Sequence, residues 1–252
     1  EAVAAELAAV RAAYQPDRIR LVDDVLGIER GWVRRFRDAV LAHGTPTPFE
    51  CLSRVDLVDR EMLTWLKEAG CVRIQFGAES GSQRVLDAMA KGTRVEQIHA
   101  AAALCRELGI ATYFFIMLGY PGETWADLSA TLALLRETRP TQFSSTVAYP
   151  LPGTLFYEQV RERLVEMPQW DHTAANRMVY RGRYGTGFYR AMQRLLYCEW
   201  HWARMRAGDA PSSVVAALRA VAALWLARMR VALWRNAPVD HRTRAARPAQ
   251  EV

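Results

Sequence analysis

The sequence IATYFFIMLGYPGET, residues 110–124, is the clearest indication of how this chain folds. Residues 110–118 are almost entirely aliphatic and aromatic, and they predict a buried β-strand. The glycines and the proline of residues 119–122 predict a turn, because these residue types interrupt regular structure. Residues 123–137 then predict a helix. A strand followed at once by a helix is the unit from which parallel sheets are built.

The same strand–helix pattern occurs five times along the chain. Parallel strands need long crossover connections, and a helix after each strand supplies them. A parallel barrel and a doubly wound sheet both fit this pattern, and both place their active sites at the carboxyl ends of the strands. The predicted strands are 19–22, 48–53, 72–77, 110–118 and 142–148, and the predicted helices are 1–13, 29–43, 59–69, 82–90, 94–108, 123–137 and 154–164.

The composition excludes several classes of protein. Hydrophobic residues make up 51% and charged residues 24% of the 252 residues, which excludes disordered, collagen-like and low-complexity chains. The length matches a complete eight-stranded barrel, but the five strand–helix units end near residue 165. Because the chain begins at Glu1 without a secretory segment, we expect a piece of a longer cytoplasmic protein. We expect its four scattered cysteines to be free thiols.

Each predicted strand ends in polar residues or in glycine and proline. Because the carboxyl ends of parallel strands share one edge of a sheet, we expect a ligand to lie across these ends. The candidate binding residues are Asp23, Asp24, Arg54, Glu79, Ser80, Gly119, Glu123, Tyr149 and Pro150.

The two candidate glutamates each allow a functional and a structural interpretation. Glu79 lies between Gly77 and Gly81, where a carboxylate can accept hydrogen bonds from two ribose hydroxyls, as acidic residues do in nucleotide-binding folds. The alternative is that Glu79 caps the helix that follows. Glu123 has the alternative of stabilising the positive end of the helix dipole.

The roles of the remaining charged candidates, Asp23, Asp24 and Arg54, also have alternatives. Adjacent aspartates point in different directions, so Asp23 and Asp24 would need distant partners to hold a divalent cation. A ligand ammonium group and the cap of the next helix are the alternatives. Arg54 is a candidate for binding a ligand carboxylate, and the alternative is an ion pair with Asp56 or Asp59.

The ordered set GAESGS (77–82), KGT (91–93), FFIMLGYPGET (114–124) and YPLPGT (149–154) resembles the latter part of a radical S-adenosylmethionine enzyme. It most resembles the subgroup with an N-terminal cobalamin-binding domain, which includes methylases and the oxygen-independent magnesium-protoporphyrin ester cyclase. The resemblance covers about residues 15–165. It implies an α/β fold: a parallel partial (β/α)6 barrel that lacks its first strand, followed by an α-helical carboxyl-terminal extension.

The resemblance also implies cofactors. Family members hold a 4Fe-4S cluster on a Cys-x3-Cys-x2-Cys loop and use it to cleave S-adenosylmethionine to a 5'-deoxyadenosyl radical, here for methylation or cyclisation of a substrate. This sequence contains neither that loop nor the Asp-x-His-x-x-Gly motif of many cobalamin domains. We therefore expect no metal ligands in this chain, and expect upstream residues to hold the cluster and cobalamin. We expect this part alone to be inactive.

The candidate residues take the following roles on the family pattern. Glu79 and Ser80 would contact the ribose of S-adenosylmethionine, and Gly119 to Glu123 would line its adenosine end. Tyr149 and Pro150 would shape the adenine side. Arg54, Asp23 and Asp24 would approach the methionine moiety.

Two other functions remain open on the sequence. An ordinary (β/α) barrel hydrolase or aldolase would need a nucleophile or a Schiff-base lysine at a strand end. The only lysines, Lys67 and Lys91, are interpreted as helix-associated residues. The other alternative is a catalytically inactive barrel that binds S-adenosylmethionine or partners without chemistry.

The carboxyl-terminal part differs in character from the rest. We expect three domains: a partial barrel holding strands two to six (1–165), a helical region (166–237) and a disordered tail (238–252). Residues 170–190 interleave aromatic and basic side chains, and a segment that closes the barrel explains them better than nucleic-acid binding. Two helices, 187–207 and 212–235, follow.

The helix predicted over 212–235 has an apolar face bordered by arginines. The four charges argue against a membrane-spanning helix. The pattern fits a helix on an anionic membrane surface, and it equally fits a helix packed on a further domain. We expect a small-molecule substrate and a cytoplasmic protein, peripheral to the membrane in the first case. The face consists of Val214, Leu218, Val221, Trp225 and Met229, with Arg219 and Arg230 on one side and Arg228 and Arg235 on the other.

Overall fold

The computed structural model describes residues 1–44, 46–165, 178–210 and 213–236, which form an α/β fold. The described helices and strands are α1 (Ala2–Tyr14), β1 (Ile19–Arg20), α2 (Arg30–Ala42), β2 (Phe49–Ser53), α3 (Arg60–Glu68), β3 (Cys71–Glu79), α4 (Gln83–Ala88), α5 (Val95–Glu107), β4 (Ala111–Leu118), α6 (Trp125–Thr138), β5 (Gln142–Val147), α7 (Leu155–Val160), α8 (Thr186–Ala207) and α9 (Val214–Arg235). The predicted tail and Trp170 lie outside the described residues.

The five strands form one parallel sheet in the order β1-β2-β3-β4-β5. A doubly wound sheet reverses its strand order part-way, whereas a barrel keeps the sequence order. The observed order therefore selects the partial barrel. The prediction of five parallel strands alternating with helices, followed by a helical carboxyl-terminal part, is confirmed.

β3 is longer than the sequence predicts, and this matters for the site. The predicted strand ended at Gly77, but β3 continues to Glu79, which is opposite Ile116 of β4. The register shifts between Gly77 and Glu79, so one residue is inserted relative to β4. Such a bulge bends the strand and changes the direction of the side chains that follow it.

The first of two compact units comprises residues 1–116 and 126–145. Its core is apolar, and the rings of Phe76 on β3 and Phe114 on β4 meet edge to face at 6.3 Å. Asp59 caps α3 by accepting a hydrogen bond from the backbone N–H of Met62 at 2.9 Å. Gly70 ends the turn after α3 with φ of +102°, a conformation that favours glycine.

The second unit comprises residues 117–125 and those from 146 onward. Its two long helices, α8 and α9, agree with the predictions over 187–207 and 212–235. Before and within α8, the buried rings of Tyr184, Phe188 and Tyr189 pack on one another, and the buried ring of Tyr180 packs edge to face on Phe156. The predicted domain boundary near residue 165 stays a prediction.

Candidate functional site

A cavity of about 260 Å³ lies at the carboxyl ends of β2 and β3 in the first unit. Of the predicted site residues, Asp24, Arg54 and Glu79 all line it. Lys91 and Gln75 line it as well, and neither was among the predicted site residues. The cavity therefore combines acidic, basic and amide groups at the edge of the sheet where parallel folds bind ligands.

Glu79 is the last residue of β3 and has a left-handed backbone, with φ of 58°. Such a conformation is uncommon for a residue other than glycine and is often found at functional sites. Its Oε1 accepts a hydrogen bond from Lys91 Nζ at 2.8 Å. Within the described residues, no group donates a hydrogen bond to Oε2. The alternative of a helix cap is wrong, because Ser82 is the cap residue of α4.

Lys91 lies in the loop between α4 and α5, outside both helices. Its backbone carbonyl accepts a hydrogen bond from Arg54 Nη2 at 3.0 Å. Its ammonium group and its backbone are thus both fixed, the first by Glu79 and the second by Arg54. The fixed lysine in turn limits where the Glu79 carboxylate can lie.

Arg54 makes the ion pair that the sequence left as its alternative role. Its Nε and Nη2 donate to the two carboxylate oxygens of Asp56, each at 2.9 Å. This hydrogen-bonded pair lowers the pKa of Asp56 below the usual aspartate range and raises the pKa of Arg54. The bidentate geometry orients the guanidinium, which then holds Lys91.

Ser80 is fully buried and is not among the residues that line the cavity. Its hydroxyl is 3.2 Å from the hydroxyl of Thr131 and accepts a hydrogen bond from the Ser82 N–H at 3.1 Å. Ser82 donates to Asp127 Oδ1 at 2.6 Å. These contacts attach the turn after β3 to α6. Thr131 and Asp127 are one helical turn apart, a spacing that was visible in the sequence but gave no reason to connect them with Ser80.

Asp23 and Asp24 are both exposed in the segment after β1, and of the two only Asp24 lines the cavity. The cap residue of α2 is Glu29, so neither aspartate caps the next helix. Across residues 1–44, 46–165, 178–210 and 213–236, no group of three or more His, Cys, Asp and Glu side chains is placed to hold a metal ion.

Gly119 and Glu123 form a closed turn in the second unit. The Gly119 N–H donates to Glu123 Oε2 at 2.6 Å, and Glu123 is almost fully buried. The Gly119 carbonyl accepts a hydrogen bond from the hydroxyl of Tyr180. Burial raises the pKa of Tyr180, so its hydroxyl stays protonated as the donor. Glu123 therefore fixes the turn through a direct hydrogen bond, beyond any effect of the helix dipole.

The geometry of this turn requires glycine. Gly119 has φ of +82°, and a Cβ there would lie 2.7 Å from Met178 Cε and 3.1 Å from Tyr189 Cζ. Tyr149 is half-buried and Pro150 is buried after β5. The sequence identified Gly119 and Glu123, but it gave no sign of the contact with Tyr180, which lies 61 residues away.

The cysteines have the chemistry of core residues. Cys51, Cys71, Cys105 and Cys198 are free and buried. A hydrogen bond with Cys51, together with burial, raises the pKa of Cys71 well above the usual thiol value, and burial raises that of Cys105 to about 12. Cluster ligands are thiolates. A 4Fe-4S cluster needs several thiolates at one place, and among the residues that the structure describes these cysteines form no group of three or more potential metal ligands.

The sequence model of the radical S-adenosylmethionine superfamily matches residues 10–135, half of the chain. The chain belongs to this superfamily. The match includes β1 to β4, and therefore includes the cavity with Arg54, Glu79 and Lys91.

The names of curated relatives match the reaction classes of the subgroup that the sequence resembles, methylases and the magnesium-protoporphyrin ester cyclase. The chain is 26% identical over 158 residues to an uncharacterized methyltransferase of Pyrococcus horikoshii, covering 63% of this chain and 34% of that protein. It is 28% identical over 148 residues to the anaerobic magnesium-protoporphyrin IX monomethyl ester cyclase of Cereibacter sphaeroides, covering 57% of this chain and 24% of that protein. The chain thus spans about a third or less of the length of these relatives.

A solved structure has the same fold. The radical S-adenosylmethionine methyltransferase TsrM from Kitasatospora setae, determined with cobalamin and a 4Fe-4S cluster bound, superimposes with a TM-score of 0.55 at 21% identity. The match covers 64% of this chain and 33% of that one. At this identity the likeness establishes the fold of the matched part.

Proposed function

We propose that the intact protein is a cobalamin-dependent radical enzyme that methylates or cyclises a small molecule, and that the cavity of the first unit binds the ribose end of S-adenosylmethionine. Membership of the superfamily supports the cofactor, and the names of the relatives support the two reaction classes. When bound at a reduced cluster, S-adenosylmethionine supplies an organic radical or a methyl group.

One observation carries the proposal for the cavity: a carboxylate at the end of β3 that is held on one oxygen only. Lys91 occupies Oε1 of Glu79, and no described residue occupies Oε2. A ribose presents two neighbouring hydroxyl donors, and an ionised carboxylate accepts hydrogen bonds without donating any. The chemistry of Glu79 therefore fits the ribose.

Lys91 and Arg54 act on the ligand through Glu79. Because Arg54 is fixed by Asp56 and holds the Lys91 carbonyl, the Glu79 carboxylate is oriented before the ligand binds. Preorganisation of this kind raises affinity by reducing the entropy lost on binding. Asp24, which lines the same cavity, would attract the ammonium group of the methionine moiety.

The segments of the second unit have the remaining proposed roles. Gly119 to Glu123 would contact the adenosine end, and Tyr149 with Pro150 would contact the adenine. The closed turn at Gly119 supports this role, because its backbone is fixed on both sides by Glu123 and Tyr180. We extend the use of cobalamin to this protein from the bound cobalamin of the Kitasatospora setae enzyme.

The test is an anaerobic assay of the intact, reconstituted protein for 5'-deoxyadenosine and S-adenosylhomocysteine. We expect formation of one or both products, with dependence on added cobalamin. Glu79→Ala should reduce the rate at subsaturating S-adenosylmethionine by tenfold or more, since hydrogen bonds to a charged group contribute about 1.5–3 kcal/mol. Glu61→Ala, which removes an exposed carboxylate paired with Arg30, is the control.

Two results would contradict the proposal. Binding of S-adenosylmethionine without either product would indicate a binding module rather than an enzyme. Product formation that does not respond to cobalamin would exclude the cobalamin-dependent class, and would leave a radical enzyme of another type.

A further inference from the structure

Helix α9 has two apolar faces, and only one of them is packed. Leu224, Ala227 and Val231 are buried, and α9 packs on α8. The residues recur at intervals of three and four, so they form a single face of the helix. This is the face of α9 that is buried in the second unit.

The other apolar face is exposed along the whole helix. Leu218 and Trp225 are 66% and 64% exposed, and Val214 is 78% exposed. Val221 and Met229 continue the same stripe at 44% and 45%. Contiguous apolar surface of this kind is rare on monomeric proteins away from binding sites.

Arginines border the exposed stripe on both sides. Arg219 and Arg230 lie on one border and Arg228 and Arg235 on the other, and all four are exposed. Arg228 also pairs with Glu199 at 2.6 Å, and Arg235 lies 5.1 Å from the centre of the Trp125 ring. Helix α9 contains no acidic residue. Its outer surface is therefore apolar in the middle and positive at the edges.

This distribution of apolar and positively charged side chains indicates which kind of partner the exposed face binds. A helix with an apolar stripe, a tryptophan and flanking arginines is typical of helices that lie in the interface of a bilayer. Anionic headgroups attract the arginines while the stripe enters the acyl region. A second copy of this chain is a poor partner, because two α9 faces would bring positive borders together. No helix among the described residues is long and apolar enough to cross a membrane.

We propose that the exposed face of α9 binds the protein to an anionic lipid surface. The contact uses the stripe of Val214, Leu218, Val221, Trp225 and Met229 and the bordering arginines. It is independent of the cavity in the first unit, so neither proposal depends on the other.

The experiment is flotation of the intact protein with vesicles of phosphatidylcholine alone or mixed with phosphatidylglycerol. We expect the protein to float with the mixed vesicles, to remain behind with phosphatidylcholine alone, and to be released by salt. The double variant L218D/W225E should lose flotation. Ile28→Asp, which places a single acidic charge on a side chain that is 74% exposed in another part of the chain, should keep it.

A second variant tests the charges without altering the apolar stripe. R219E/R230E should bind mixed vesicles at least tenfold more weakly, whereas Arg34→Glu, at an exposed position of α2, should bind as the wild type. Far-UV circular dichroism verifies that each variant is folded. Failure of the wild-type protein to float would overturn the proposal. So would a concentration-dependent self-association, measured by sedimentation, that L218D/W225E abolishes.

Discussion

The cavity at the end of β3 and the outer face of α9 are opposite kinds of surface. In the cavity, charged side chains are partly buried and held by partners: Glu79 by Lys91, and Arg54 by Asp56. On α9, large apolar side chains are exposed, and the charges lie only at the borders. A fixed array of polar groups suits a small ligand with a defined shape, whereas an open apolar stripe suits an extended surface.

The largest expected effect concerns the two faces of α9. Leu224 is 6% exposed and Leu218 is 66% exposed on the same helix. Leu224→Ala should lower the free energy of unfolding by about 2–5 kcal/mol, because it leaves a cavity in the core. Leu218→Ala should change it by less than about 0.5 kcal/mol. Urea denaturation measures both, and similar losses would show that the outer face is packed.

The next largest expected effect is on the affinity of the cavity for S-adenosylmethionine, and it is tested by substituting Gly77. A Cβ at Gly77 would lie 2.7 Å from both Glu79 Oε1 and Lys91 Nζ. Both atoms are at the ends of flexible side chains, so Gly77→Ala should displace the pair without unfolding the protein. We expect about tenfold weaker binding of S-adenosylmethionine by calorimetry, equivalent to about 1.4 kcal/mol.

Gly31→Ala is the matched control for Gly77→Ala. A Cβ at Gly31 would lie 2.7 Å from Glu29 Oε1 and 3.2 Å from Arg35 Nη1, a pair on the exposed side of α2. The same kind of displacement therefore occurs away from the cavity. Equal losses of affinity in the two variants would show that Gly77 has no specific role.

The sequence predicted the elements of the molecule better than the contacts between them. Strands, helices and the turn at Gly119 follow from local patterns of apolar residues, glycine and proline. The links from Lys91 to Glu79 and from Ser82 to Asp127 join residues 12 and 45 positions apart. These contacts depend on the register of β3 and on how α6 packs, which no local pattern contains.

The exposed stripe on α9 shows the same limit. The sequence identified the residues of the stripe and the bordering arginines, but apolar residues at helical spacing are equally typical of a packed face. Only the positions of Leu224, Ala227 and Val231 show which face packs on the protein. The sequence therefore left the choice between membrane and domain open.

A smaller effect tests the role of Lys91. Lys91→Met keeps much of the side-chain length and removes the charge that holds Glu79. We expect about fivefold weaker binding of S-adenosylmethionine and little change in the free energy of unfolding, because the pair is partly exposed. Lys67→Met is the control, since Lys67 lies outside the cavity and donates to the carbonyl of the exposed Gly109 at 3.1 Å. Unchanged affinity in Lys91→Met would exclude the positioning role.

The smallest expected effect is the pH dependence of the stability that Asp56 contributes. The pKa of Asp56 is lowered in the folded protein, chiefly by its hydrogen bonds with Arg54. Its pairing therefore stabilises the fold above the ordinary aspartate pKa, and this contribution is lost as the pH falls through the lowered value. The stability difference between wild type and Asp56→Asn, measured by urea denaturation, should be present at neutral pH and vanish in strong acid. A stability difference between wild type and Asp56→Asn that grows in acid would contradict this prediction.

The most direct test of the central claim is equilibrium binding of S-adenosylmethionine to the intact protein and to Glu79→Gln. This variant keeps the size of the side chain and removes the negative charge of the carboxylate, which we propose binds the ribose hydroxyls. We predict that Glu79→Gln weakens binding by tenfold or more, while Glu61→Gln binds like the wild type. If Glu79→Gln is folded and binds S-adenosylmethionine as tightly as the wild type, the cavity at the end of β3 is not the ribose site.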